Sequence, residues 1–224
     1  MKYIVIGLGN FGSSLATTLT QMGHEVIGVD NNMQKVDSMK DKITHAVCLD
    51  CTDMHAISTL PLKDTDVVIV GIGEDVGSSL MATATLKQLK VKKLISRSIN
   101  PLHHTVVEAI GVDEIISPEE ESAERLAKRL EMKGVIDSFY ITDEYNILEA
   151  KIPHRYVGKT IAESDFRSRY NINILTIIRI SDPTNKDHKK GKVLGVVGPD
   201  VKMIENDILV LFGRLSDLEK LLHF

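Results

Sequence analysis

YIVIGLGNFGSSLATTL, residues Tyr3 to Leu19, decides the fold of this chain. It reads as a short apolar strand, a glycine-rich turn and the opening of a helix. The turn carries G-x-G-x-x-G at Gly7, Gly9 and Gly12, with Asn10 and Phe11 inside the motif. The three glycines differ in role. Gly7 permits the tight turn, Gly9 lets backbone approach a pyrophosphate, and Gly12 lets the helix pack closely on the strand. The helix start then offers unpaired N–H groups to phosphate. Asp30 closes the next strand, near the spacing expected of an acidic ribose reader. A carboxylate there accepts hydrogen bonds from ribose hydroxyls, each worth ~1.5–3 kcal/mol, and repels a 2′-phosphate. Asn31 and Asn32 follow it, with no arginine. The expected ligand is NAD(H) or an adenine nucleotide, not NADP(H).

Working outward, strand and helix alternate to about Ser117. KYIVIGL, HEVIGVD, THAVCLD, DVVIVGI, KKLISRS and VDEIISP read as strands, separated by FGSSLATTLTQMG, NMQKVDSMKD, DMHAISTL, GSSLMATATLKQL and PLHHTVVEAIG as helices. The first helix places Leu15, Leu19 and Met22 on one face and stops at Gly23; Pro101 opens the last at its first turn. Near-continuous Val/Ile runs mark strands buried on both faces, hence a parallel sheet covered by helices. The fold class is α/β: a doubly wound, Rossmann-like N-terminal domain over residues 1–134, followed by a small α+β C-terminal domain over 135–224. Within the first, PEEESAERLAKRLEMKG (118–133 and Gly134) reads as an amphipathic helix with Ala123, Leu126, Ala127 and Leu130 as its apolar stripe.

After Gly134 hairpin signals take over. VIDSFYITDEYNILEAKIP holds two strands about Thr142-Asp143-Glu144. GKTIAESDFRSRY reads as a helix, NINILTIIRI, VLGVV and DILVLFG as strands with a turn at Gly198-Pro199-Asp200, and LSDLEKLLH as a closing helix. The basic segment Lys186 to Lys192 reads as a solvated hairpin tip.

Ligands of doubly wound sheets lie beyond the carboxyl ends of the strands. Those ends are Asp50-Cys51-Thr52, Gly71-Ile72-Gly73 and Arg97. Asp50 and Thr52 are placed to read an adenine edge, and Gly71 and Gly73 to admit backbone to the ligand. Arg97 is placed either to bind phosphate or to pair with Glu119 or Asp50.

Hydrophobic residues make up 43% of the chain, enough for a packed core, and the net charge of −4 together with 4% aromatics and no tryptophan argues against a nucleic-acid surface. No apolar run approaches the ~20 residues of a membrane span, and no secretory signal is visible; a cytoplasmic, stand-alone chain beginning at Met1 is expected. Cys48 and Cys51, spaced C-x-x-C, are too few for a zinc site and are expected to be inert small residues at a strand end rather than a redox pair. The histidines of the second domain, His154, His188 and His223, form no nucleophile–base constellation; of His103 and His104, one is expected at the core edge and one towards solvent.

The glycine stretch as far as Val36, with THAVCLDCTD, DVVIVGIGED and IGVDEIISPEEESAERLA, resembles the RCK (regulator of K⁺ conductance, or KTN) family. YNILEAKIPHRYVGKTIAESDFRSRYNINILTIIR and DILVLFG resemble its C-terminal companion, so the likeness covers essentially the whole chain. It is closest to the cytosolic regulatory subunits of Ktr/Trk-type potassium uptake systems. The resemblance implies a non-enzymatic sensor. Dimers would form through the 118–133 crossover helix and assemble into a ring, usually an octamer, beneath a membrane potassium-translocating subunit, with ATP/ADP or NAD(H) favouring different ring shapes. An arginine often stands in the family where this chain has Asn10, so terminal-phosphate preference is open here. Glu119 matches a family glutamate that contributes to a divalent cation site, or is an ordinary first-turn helix acid. Arg167, Asn173 and Ile174 fall where some members bind cyclic di-AMP; a bare dimerisation module is the preferred alternative. The competing class is an NAD-dependent oxidoreductase acting on a small molecule.

Overall fold

The computed structural model describes residues 1–131, 134–142, 144–180 and 191–222. Strand and helix alternate first: β1 (Lys2–Ile6), α1 (Asn10–Gln21), β2 (Glu25–Asp30), α2 (Met33–Asp37), β3 (His45–Cys48), α3 (Met54–Ile57), β4 (Val67–Val70), α4 (Val76–Gln88), β5 (Leu94–Arg97), α5 (Pro101–Ile110) and β6 (Glu114–Ile116). All neighbouring strands pair in parallel, in the order β3-β2-β1-β4-β5-β6. This is the doubly wound order, with its switch point between β1 and β4.

The Val/Ile runs explain the layers. Alternate residues of a strand face opposite sides. Ile4, Ile6, Val68 and Val70 pack with Leu86 and Leu94 on one side of the sheet. Val5 and Ile69 pack with Val26, Met39 and Ile43 on the other. Leu15 and Leu19 join that second cluster, but Met22 lies past the end of α1 and is 66% exposed, outside the expected face. The second helix is shorter than its sequence suggests. After Asp37 the backbone tightens into i→i−3 bonds, Met39 N–H to Val36 O and Lys42 N–H to Met39 O.

Chain contacts divide the protein into Met1–Glu119 and Glu120–Phe224. The division falls in the first turn of α6 (Pro118–Glu131), whereas the change in sequence texture falls at Gly134. The second unit continues with β7 (Val135–Tyr140), β8 (Tyr145–Lys151), α7 (Ile161–Ser164), α8 (Phe166–Tyr170), β9 (Asn173–Arg179), β10 (Lys192–Val193), β11 (Ile208–Arg214) and α9 (Leu215–Leu222). Its sheet, β10-β9-β11-β8-β7, is antiparallel throughout. Leu148, Ile177, Leu209 and Leu211 pack on Tyr156, Phe166 and Leu218 to form its core.

Two local expectations fail here. The single helix over GKTIAESDFRSRY breaks in two at Asp165, whose φ of +48° lies in the left-handed region. VLGVV is a strand only at its start: Val193 pairs with β9 in β10 and the Leu194 N–H bonds to the Ile177 carbonyl, after which Gly195 turns the chain at φ +74° and Val196 is 99% exposed. The apolar stripe of α6 is exposed at Leu126 and Leu130. Of the basic segment Lys186 to Lys192, residues 186–190 lie outside the described residues, as do Asp143, His188, His223 and the last residues of the 118–133 helix.

Candidate nucleotide site

The glycines behave as their spacing demands. Gly7 has φ +92°, and a Cβ there would meet the Ile72 backbone nitrogen at 2.9 Å. A Cβ on Gly12 would fall 1.8 Å from the Gly7 carbonyl oxygen, so α1 and the turn approach too closely for any side chain. Gly9 has nothing within 4 Å of its missing Cβ. It sits at the N-cap of α1, which has no side-chain cap. The contrast with the rest of the unit is sharp: α2, α3, α4 and α5 are capped by Asn32, Asp53, Asp75 and Asn100. The first-turn N–H groups of α1 therefore face open space, where they favour an anion.

That space is a cleft of about 360 Å³ beyond the carboxyl ends of the central strands, within the range of small-ligand sites. Gly7, Gly9, Asn10, Phe11, Asp30, Asn31, Asp50, Cys51, Thr52, Gly71, Ile72, Gly73, Arg97 and Glu119 all line it. Gly12 lies beneath it as a packing glycine. Six lining residues escaped the sequence reading: Ile6, Lys35, Leu49, Glu74, Asp75 and Ser78. Glu74 and Asp75 directly continue the Gly71-Ile72-Gly73 loop and were within reach of it. Lys35 was not, because only the seating of α2 turns it towards the cleft. Its Nζ lies 3.8 Å from Glu74 Oε2.

Asp30 is 7% exposed. One carboxylate oxygen accepts from the Leu8 N–H at 2.7 Å and the other from the Asn32 N–H at 2.9 Å. The residue thus ties the glycine turn to the end of β2 at the wall of the cleft. Asp50 accepts from the Thr52 N–H at 2.8 Å and the Thr52 hydroxyl at 2.7 Å, and these bonds hold its carboxyl below the ordinary range. Asp75 is held low in the same way by the Ser78 hydroxyl and N–H. Burial, reinforced by the charges of Asp50 and Asp30, pushes the Cys51 thiol up to about 12. Cys48 is exposed and Cys51 buried, both as free thiols.

Arg97 resolves towards Glu119: Nε lies 3.3 Å from Oε2 and Nη2 pairs with Oε1. Its Nη1 also donates to the Gly71 carbonyl at 3.4 Å, and its guanidinium lies 5.8 Å from the Phe11 ring centroid. Glu119 is therefore an ion-pair partner here, and among the described residues no group of three or more metal-ligating side chains converges. Of the adjacent histidines, His103 is the inner one, 1% exposed. Its Nε2 lies 3.2 Å from the Ser79 hydroxyl and its Nδ1 accepts from the Ile99 N–H. In the second unit, Arg167 and Asn173 are exposed on α8 and at the start of β9, while Ile174 packs on the domain core. Among the described residues, no helix is long and apolar enough to cross a membrane.

A doubly wound sheet with an uncapped helix start, a glycine turn and a buried carboxylate closing its second strand is the architecture of the dinucleotide-binding fold class. Residues 3–118 match the TrkA-N domain and residues 147–224 the TrkA-C domain. The chain belongs to that family, as its resemblance to the RCK group implied. It is 33% identical over 219 residues to Ktr system potassium uptake protein A of Bacillus subtilis (strain 168), covering 98% of this chain and 94% of that one. Among solved structures, the GsuK RCK domain superposes with a TM-score of 0.65 at 18% identity, over 100% of this chain and 48% of its own. The GsuK channel bound to NAD superposes with a TM-score of 0.64 at 18% identity, over 98% and 38%. This chain thus spans about half or less of those structures' length, and at that identity the likeness concerns the fold.

Proposed function

We propose that this chain is the nucleotide-sensing regulatory subunit of a membrane potassium uptake transporter. The observation that carries the reading is the uncapped α1 terminus opening on the cleft opposite Asp30. Backbone N–H groups there suit a pyrophosphate while Asp30 suits an unphosphorylated ribose, a pairing that fits NAD(H) or ADP/ATP. The neighbour that binds NAD on the same fold and the relative named for potassium uptake support this ligand class and this system.

Sensing rather than chemistry is supported by the lining. Asp50 and Asp75 are held ionised by their hydrogen bonds, and Cys51 is held as a thiol, so these groups do not exchange protons near neutral pH. A bound nucleotide acts by its differential affinity for two conformations of the assembly. In this reading the exposed stripe of α6 joins two copies, dimers close into a ring, and the ring lies against the inner face of the membrane through its transporter partner. The second domain serves as a dimerisation module.

The test is potassium uptake in cells that lack their own uptake systems and express a Ktr-type membrane subunit. Wild-type chain should raise uptake, and Gly9→Ala, which keeps the fold but obstructs the phosphate position, should not. Equal uptake with and without the chain would refute the regulatory role. NADH oxidation by the purified protein with a panel of carbonyl compounds would instead support the oxidoreductase alternative.

A further inference from the structure

The geometry points to an internal competitor in the cleft: Glu119 occupies the cation, Arg97, to which a nucleotide's terminal phosphate would bind, and ligand and Glu119 exchange on it. This rests on the nucleotide-sensing reading and adds to it the device by which binding reaches α6.

The cleft is lined by five carboxylates, Asp30, Asp50, Glu74, Asp75 and Glu119, and by two cations, Lys35 and Arg97. Lys35 lies near Glu74. Arg97 serves the other side, where Phe11 of the glycine motif meets the β4 loop. Its side chain is 16% exposed, whereas that of Glu119 is 63% exposed.

The two partners are held very unequally. Arg97 is fixed by the Gly71 carbonyl and by the Phe11 ring, and its guanidinium lies so close over Gly73 that a Cβ there would fall 2.3 Å from Nη1. Glu119 is held to the cleft through its carboxylate's contact with Arg97. The pair therefore opens by Glu119 leaving, not by Arg97 moving. An exposed ion pair is weak, and a phosphate brings more charge and more acceptor oxygens to a planar guanidinium than a carboxylate does. Released from Arg97, the Glu119 carboxylate stays at the second residue of α6, where the helix dipole favours negative charge with or without the pair.

Exchange would thus free the start of α6 from the end of β5. By linkage, whatever holds α6 would in turn alter nucleotide affinity by the same factor.

The experiment is calorimetric titration in a chelating buffer, so that no divalent cation contributes to phosphate binding. ADP and adenosine are titrated into wild type, Glu119→Gln, Glu120→Gln, Arg97→Met and the Arg97→Met/Glu119→Gln double variant. Glu120→Gln removes the same charge from the same helix turn. Glu119→Gln is expected to bind ADP roughly tenfold tighter, equivalent to about 1.4 kcal/mol. Adenosine, with no phosphate, should change less than about twofold. Glu120→Gln should gain less than about threefold. Arg97→Met should weaken ADP, and adding Glu119→Gln to it should restore nothing. ADP binding to wild type with no gain in Glu119→Gln, or a gain that survives Arg97→Met, would overturn the exchange and leave the nucleotide reading standing. No ADP binding to wild type and Glu119→Gln alike would overturn the exchange, and NADH titrated into the same samples decides the nucleotide reading separately.

Discussion

Asp30→Asn should destabilise the protein before any ligand is added. The Asp30 carboxylate accepts from two backbone N–H groups, Leu8 at 2.7 Å in a buried position and Asn32 at 2.9 Å. An asparagine keeps one acceptor oxygen and turns an NH₂ group towards the other N–H. Losing a buried, charge-assisted bond costs ~1.5–3 kcal/mol, and the stranded Leu8 N–H cannot turn to water. Asp30→Ala, which removes both acceptors, should cost about 3–4 kcal/mol on the same scale. With a urea m-value of about 2 kcal/mol/M, the midpoint of the first unit should fall by about 1 M for Asn and somewhat more for Ala. Urea unfolding followed by far-ultraviolet circular dichroism, without nucleotide, reads this directly. A midpoint within about 0.25 M of wild type for both variants would refute the view that Asp30 holds the glycine turn. It would return Asp30 to a role in ligand binding alone.

Further outcomes follow from the same geometry. Gly12→Ala places a methyl 1.8 Å from the Gly7 carbonyl oxygen and should cost about 3 kcal/mol or more. Gly9→Ala meets open space and should stay within about 0.5 kcal/mol of wild type in urea while losing nucleotide affinity. With the Cys51 thiol pushed up to about 12, an aromatic disulfide reagent at pH 8 should titrate one thiol, Cys48, in the native protein and two after unfolding; rapid native reaction of both would contradict it. Burial and the neighbouring His104 lower His103 below its ordinary 6.5. The unfolded chain therefore takes up a proton first, and stability contributed by neutral His103 is intact above pH 6.5 and falls as pH drops below it. Urea midpoints at pH 7.5 and 5 should differ less in His103→Gln than in wild type.

The parallel sheet and most of the cleft were legible in the sequence, because their determinants are local. A Val/Ile run signals a strand buried on both faces wherever it occurs, and the strand ends then place Asp50, Gly71, Gly73 and Arg97 along one edge. What was not legible depends on tertiary placement. Lys35 enters the cleft through the seating of α2, and no periodicity in five residues encodes that. Asp30 reads as a ligand contact in sequence, while its hold on the Leu8 N–H is visible only when the turn is folded back on β2. The break at Asp165 replaces a regular amphipathic helix with two short ones: the Thr160 capping box starts α7, and the left-handed backbone of Asp165 ends it before α8 begins. The VLGVV strand stops after Leu194 because Gly195 turns the backbone, although its later apolar residues suit a ladder.

Nucleotide sensing stands or falls on calorimetric titration of the purified wild-type protein with NAD, NADH, NADPH, ADP, ATP and cyclic di-AMP. NADH or an adenine nucleotide should bind, with NADPH at least roughly tenfold weaker than NADH, about 1.4 kcal/mol, and the gap narrowed in Asp30→Asn. NADPH binding as tightly as NADH would contradict the assignment of Asp30 and give the ribose end to Lys35. Absence of binding by every dinucleotide and adenine nucleotide would contradict the nucleotide-sensing role itself.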